Sequence, residues 1–251
     1  MRQTYNQVQQ GAWFEEWFNS PYYPLLYGHR DEREAQSFVD QILSLLGPAP
    51  GARILDLACG QGRLARQLAS RGYEVIGVDI SENAIAIAKQ SQQDNLHFFQ
   101  HDMRKTFRFG YFDFIFNFFT SFGYFEHDDD HLVTLRAVSQ GLGRKGQFVL
   151  DYLNTVKVRA GLVKENTVMT GDVRFKLNRR FEEGYFVKDI DITDGASHMY
   201  FQERVRGFTL PELESLFSEA GLHIRHIFGD YHLAPYEEGT SERLILVAEK
   251  E

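Results

Sequence analysis

The stretch ILDLACGQGRLA, residues 54–65, constrains the fold of this chain more than any other. An apolar run of strand character carries Asp56 near its end. It then opens through Gly60 and Gly62 into a helical pattern in which Leu64, Ala65 and Leu68 share a face. A strand, a glycine turn and a helix make a βα unit. Such units join by right-handed crossovers into a parallel sheet buried on both faces.

The alternation continues on either side. Ala35, Phe38, Val39, Ile42, Leu45 and Leu46 recur at helical spacing over residues 31–46, stopped by Gly47–Pro48. YEVIGVDIS reads as a second strand ending in Asp79, and Ser81 caps the helix that follows. LHFFQHD and YFDFIFNFF read as the third and fourth strands, residues 127–142 as a helix with Asp128, Asp129 and Asp130 at its positive end, and GQFVLDYLN as the fifth strand. The expected fold is α/β, a doubly wound and mostly parallel sheet.

From residue 163 to 207 the period changes to two, with Val173, Phe175 and Leu177, then Phe186, Ile190 and Ile192, then Met199, Phe201 and Val205. This predicts a three- or four-stranded antiparallel insertion, bounded as 158–207. Thr209 and Glu212 then form a capping box around Pro211, and two strands near 223–228 and 244–248 close the chain. The divisions expected are an aromatic N-terminal lid segment at 1–30, the main domain at 31–157 and 208–251, and the insertion, which serves as a substrate cover or a homodimer interface.

Composition narrows the function. A formal charge of −8 argues against a broad phosphate-backbone footprint, so nucleic acid is disfavoured as partner. The lone Cys59 excludes an internal disulfide, and the N-terminus MRQTYNQVQQ lacks an apolar core, so a cytoplasmic protein with no membrane segment is expected. His223, His226 and His232 are loosely spaced without nearby Cys or Asp, and no metal site is predicted.

In a doubly wound sheet a ligand sits beyond the carboxyl ends of the strands, where strand order reverses. Glycines there let backbone approach the ligand, and Asp79, about twenty residues on, can bridge the two hydroxyls of a ribose. Together they indicate an adenosine-containing cofactor. Gly60-Gln-Gly62-Arg-Leu-Ala65 formally fits a dinucleotide pattern, which keeps an NAD-dependent oxidoreductase as an alternative. Asp56 argues against it, since an acid beside the glycines repels a pyrophosphate and suits a cationic ligand. A cofactor-binding module without catalysis is a further alternative.

Across nearly its full length the sequence resembles the class I S-adenosylmethionine-dependent methyltransferases. LDLACGQG is similar to their first motif, VIGVDIS to the second, FFQHDMRK to the third, FDFIFNFFTSFGYF to the fourth strand and its active-site loop, and FVLDYLN to the fifth strand. The ending GDYHLAPYEEGTSERLILVAEK resembles the family's closing antiparallel hairpin, which implies a seven-stranded sheet. The insertion resembles that of the small-molecule type. The resemblance implies S-adenosylmethionine as cofactor. Asp56, Ala58, Gly60 and Gly62 would hold its methionine portion, Asp79 and Ile80 the ribose, and Asp102 and Met103 the adenine. Asn117 and Phe119 would lie near the methionine portion, and Arg30 near its carboxylate.

Methyl transfer from a sulfonium needs positioning and exclusion of water more than a triad. The expected pocket is aromatic, with Ser121, Phe122 and Tyr124 toward a small-molecule nitrogen, oxygen or carbon acceptor, and Tyr22 or Tyr23 over the methyl group. His127 is the candidate base.

Overall fold

Ile54 and Leu55 are both buried and face opposite sides of one sheet, which is the signature of a central strand covered on both faces. The structure is a computed structural model describing residues 13–28 and 32–251. Short helices α1 (Trp13–Asn19) and α2 (Tyr22–Tyr27) precede α3 (Glu32–Leu46). Then follow β1 (Arg53–Leu57), α4 (Arg63–Ala69), β2 (Glu74–Asp79), α5 (Glu82–Ala88), β3 (Leu96–Gln100), β4 (Phe112–Asn117), α6 (Asp128–Gly141) and β5 (Leu142–Leu153). After α7 (Thr155–Ala160) come β6 (Glu165–Thr170), β7 (Val173–Glu182), β8 (Tyr185–Asp194) and β9 (Ser197–Arg206). The chain ends with α8 (Leu210–Glu219), β10 (Leu222–Phe228) and β11 (Arg243–Lys250).

The main sheet has seven strands in the order β10-β11-β5-β4-β1-β2-β3. Its β5, β4, β1, β2 and β3 pair in parallel, and β11 alone runs antiparallel to both neighbours, β5 and β10. Leu55, Leu57, Ile115, Phe148 and Leu150 pack on one side with Leu135 and Val138 of α6 and Leu213 and Phe217 of α8. On the other side Ile54, Val75, Phe116 and Val149 meet Phe38 and Ile42 of α3, Leu64 and Leu68 of α4 and Ile85 of α5. The expected mostly parallel, seven-stranded α/β sheet is the fold observed.

Local signals set the helix starts. Ser81 Oγ accepts from the Ala84 N–H at 3.1 Å. The backbone N–H and hydroxyl of Thr209 both donate to Glu212 Oε2 at 2.7 Å. Strand β5 begins at Leu142, before the expected GQFVLDYLN run, and β4 stops at Asn117, before its last two expected residues. That early stop matters, because Phe119 and Thr120 just beyond it adopt left-handed backbone, with φ of 61° and 58°.

The second sheet has four antiparallel strands in the order β6-β7-β8-β9. Phe175, Leu177, Ile190 and Ile192 on its inner face close on Trp17 of α1, which is fully buried. The N-terminal segment therefore lies between the two sheets. On one side Trp17 Nε1 and the Tyr27 hydroxyl donate to Glu203 of β9, each at 2.6 Å. On the other, Ser81 Oγ donates to Asn19 Oδ1 at 2.9 Å and Asn83 Nδ2 donates to the Asn19 carbonyl at 2.8 Å.

Candidate active site

Strand order reverses between β1 and β4, so a crevice forms beyond their carboxyl ends. The loop after β1 holds Ala58 at φ 64°, Gly60 at φ 55° and Gly62 at φ 77°. Left-handed backbone at a non-glycine residue is strained, and such positions cluster at ligand sites. Gly62 is dictated by space as well: a Cβ there would fall 2.5 Å from the Phe98 ring.

Asp79 closes β2 and faces this loop. Its Oδ2 accepts the Gly60 N–H and its Oδ1 the Ser81 N–H, both at 2.8 Å. A carboxylate oxygen has two lone pairs, so each keeps one for a ligand hydroxyl. Burial raises the Asp79 pKa, partly offset by backbone hydrogen bonds from Ser81, Gly60 and Ile80. Asp56 is only 3% exposed, and its Oδ2 has no hydrogen-bond partner among the described residues. Burial first, then the charge of Asp79, pushes its pKa from 3.8 up to about 7. Burial likewise holds the Cys59 thiol well above its ordinary pKa, so it is no thiolate nucleophile.

These groups line a cavity of about 850 Å³. Asp56, Ala58 and Gly60 form one end, with Asp79 and Ile80 beside them. Asp102 and Met103 line it too, and Phe119 and Tyr124 lie toward the β4 loop. Arg104 grips Asp102, its Nη2 donating to Oδ2 at 2.7 Å, and reaches Asp130 of α6 at 3.1 Å. Burial alone would raise the Asp102 pKa, but the Arg104 side chain and amide outweigh it and hold the group ionised. The expected cofactor fits this wall. Asp79 offers paired acceptors for two hydroxyls, and the partnerless oxygen of Asp56 suits a cationic ammonium. Ile80 and Met103 supply apolar surface for a purine.

The structure departs from the expected site at several residues. Tyr22 lines neither cavity described here; its hydroxyl donates to Asp194 of β8 at 3.0 Å. Tyr23, one position on, points into the site instead. His127 is exposed at the residue preceding α6 and lines neither cavity, so the base expected there lies away from the site. The buried histidine is His131, packed against Phe122, Phe125 and Phe208, and burial lowers its pKa toward the neutral form. Asn117 lies behind the site, donating to the Leu57 carbonyl at 2.9 Å and so tying β4 to β1. Gly62 shapes the turn without lining the cavity. Ser121 lines the cavity, while Phe122 is buried in the core. Arg30 lies outside the described residues.

A second cavity, of about 460 Å³, opens between the β4 loop and the four-stranded sheet. Tyr23, Tyr27, Arg63, Phe119, Thr120 and Tyr124 line both cavities and form a neck between them. The neck is held from below by Asp151 of β5, which is fully buried. Asp151 Oδ2 accepts the Phe119 N–H at 2.7 Å and the Tyr231 hydroxyl at 3.1 Å. Its Oδ1 receives Nε of Arg243 at 2.7 Å, while Nη2 of Arg243 donates to Thr120 Oγ1 at 2.8 Å. Sequence reasoning missed Arg63, Tyr27, Asp151 and Arg243 as site residues. The available signal was an acid inside the apolar run FVLDYLN, which requires a buried cation or donors as partner. No group of His, Cys, Asp and Glu among the described residues could hold a metal ion, and no described helix is long and apolar enough to cross a membrane.

Comparison with known proteins agrees with this geometry. Residues 54–146 match the methyltransferase-domain family. A Geobacillus sp. (strain WCH70) protein named as a methyltransferase is 29% identical over 232 residues, covering 86% of this chain and 91% of the relative. YqeM of Bacillus subtilis (strain 168), also named as a methyltransferase, is 29% identical over 209 residues, 79% of this chain and 84% of the relative. Among solved structures, a S-adenosylmethionine-dependent methyltransferase from Clostridium acetobutylicum shares the fold with a TM-score of 0.77 at 21% identity, covering 91% of this chain and 96% of the other.

Proposed function

We propose that the chain is a class I S-adenosylmethionine-dependent methyltransferase and that it methylates a small molecule held in the smaller cavity. The observation that carries this reading is the neck: two adjoining cavities share six walls, so a donor in one and an acceptor in the other meet at a single place. The combined volume suits two small molecules.

S-adenosylmethionine supplies a methyl group on a sulfonium, already activated for displacement. The residues of this chain bind, orient and exclude water. Asp79 would take the ribose hydroxyls, Asp102 the adenine amino group with Met103 beside the ring, and Asp56 the ammonium. Phe119 and Tyr124 wall the methyl's path, backed by Tyr23 of the N-terminal roof. Burial, followed by the charge of Glu203, holds the Tyr27 phenol well above its ordinary pKa, so it stays protonated and orients rather than abstracts. An acceptor nitrogen or oxygen with a free lone pair needs no base in such a neck, since alignment of the two reactants supplies most of the rate. The −8 charge and the small volume of the second cavity favour a small acceptor over nucleic acid. Asp56 beside the glycine turn and the closing antiparallel hairpin of β10 and β11 disfavour a dinucleotide site.

Calorimetric titration with S-adenosylhomocysteine tests the cofactor half of this reading. Binding is expected, weakened roughly 10- to 100-fold in Asp79→Ala, the cost of losing a charge-assisted hydrogen bond. Absence of binding, or an unchanged affinity in Asp79→Ala, refutes it.

A further inference from the structure

The smaller cavity has an electrostatic character opposite to that of the whole protein. In a chain of net charge −8, it is lined by Arg63, Arg179, Arg180, Lys188 and Arg243 against one carboxylate, Glu203. Three of these cations are spoken for. Arg243 is paired with Asp151, Lys188 with Glu203, and Arg180 with Glu182 and Asp189. Arg179 has no carboxylate partner among the described residues, and Arg63 makes no ion pair among them, although its charge acts on Asp56. Arg63 lies over the Phe119 ring at 5.6 Å, in the neck. Arg179, on β7, lines only the smaller cavity and donates to neutral acceptors, Asn166 Oδ1 at 2.6 Å and the Val163 carbonyl at 3.3 Å. The rest of the wall is largely apolar, with Leu153, Val158, Leu162, Phe186, Val187 and Val205.

A cationic cleft with low-dielectric walls focuses an attractive potential on anions, and a guanidinium without a carboxylate is the common receptor for a planar or tetrahedral one. We infer that the methyl acceptor is an amphiphilic anion, with its carboxylate or phosphate at Arg179 and its nucleophile at the neck. This rests on the reading above, that the smaller cavity is the acceptor's. Arg179 carries the inference rather than Arg63, because Arg63 also lines the cofactor's cavity and is placed to serve either ligand.

The test uses the whole protein saturated with S-adenosylhomocysteine, titrated calorimetrically with benzoate, phenyl phosphate and the neutral isostere benzamide. One or both anions are expected to bind and benzamide to bind at least ten-fold more weakly; whichever anion binds identifies the source of the charge. Arg179→Gln is expected to weaken the anion roughly 10- to 100-fold while leaving the S-adenosylhomocysteine affinity unchanged. Asn166→Ala removes the neutral partner of Arg179 but keeps the charge, and is expected to retain anion binding. Equal binding of benzamide, no binding of either anion, or an equal loss in Arg179→Gln and Asn166→Ala would overturn the inference. Failure to bind S-adenosylhomocysteine would instead refute the methyltransferase reading, so the two failures are separable.

Discussion

Asp56→Asn is the most informative single change. Asp56 is 3% exposed, and its carboxyl is moved from 3.8 up to about 7, by burial first and by Asp79 second. Its pKa in the folded chain lies above that in the unfolded chain, so between about pH 4 and pH 7 the folded state keeps a proton that the unfolded state releases. Unfolding free energy therefore falls as pH rises through that window and levels off above it. A shift of about three units corresponds to about 4 kcal/mol, lost from the wild type between its acid limit and pH 8. Asn cannot ionise, so that slope should disappear in the variant. Urea unfolding at pH 4.5 and pH 8, approximate brackets of the window, gives the measurement; subtracting variant from wild type cancels the titrating groups that do not interact with Asp56. The stability advantage of Asp56→Asn should grow by about 3 kcal/mol between the two pH values, since part of the total is already lost by pH 4.5, whatever its sign there. A difference that does not change with pH refutes the reasoning, because a buried carboxyl with one oxygen unsatisfied cannot be pH-neutral. The same variant should bind S-adenosylhomocysteine more weakly at pH 8, since a buried acid that destabilises the empty protein is one whose partner is a ligand.

Two further outcomes follow from the packing around the site. Asp151→Asn removes the fully buried anion of the partly buried Arg243, a loss that costs up to about 3–5 kcal/mol, so a melting temperature lower by roughly 10 °C is expected by calorimetry; a drop below ~2 °C would contradict the pairing. Gly62→Ala forces a Cβ against Phe98 at a φ of 77°, and should cost about 2–4 kcal/mol in urea unfolding. Part of that loss should return in the double variant with Phe98→Leu, and no recovery would show that backbone strain alone sets the cost.

Much of the fold was legible because its signals are local. The ILDL run, the glycine turn, the Ser81 cap and the change of period after the fifth strand each depend on residues within a few positions of one another. The same holds for Asp79, whose place at a strand's end follows from the alternation itself. The residues that were misplaced depend on distant partners. Tyr22 and Tyr23 are indistinguishable in sequence, and only the turn of α2 decides which one faces Asp194 and which the neck. His127 stood closest in sequence to the β4 loop, yet the chain runs outward there and buries His131 instead. The cationic wall of the smaller cavity was invisible for a related reason. In an antiparallel strand Arg179, Arg180 and Lys188 read as ordinary exposed charges until the sheet is folded over the neck.

The N-terminal roof has a kinetic meaning. Trp17 and Tyr27 fasten it to Glu203 at one end, and Asn19 fastens it to Ser81 and Asn83 at the other, where all three line the larger cavity. If the segment covers a bound ligand, its opening requires both fastenings to release together, which is a local unfolding of the segment. Turnover would then be governed by a melting event rather than by diffusion, and its rate should climb steeply with temperature, as unfolding rates do. Amide exchange across residues 13–28, slowed on binding S-adenosylhomocysteine in step with the ligand's dissociation rate, would be the signature of such an opening; exchange unaffected by the ligand would refute it.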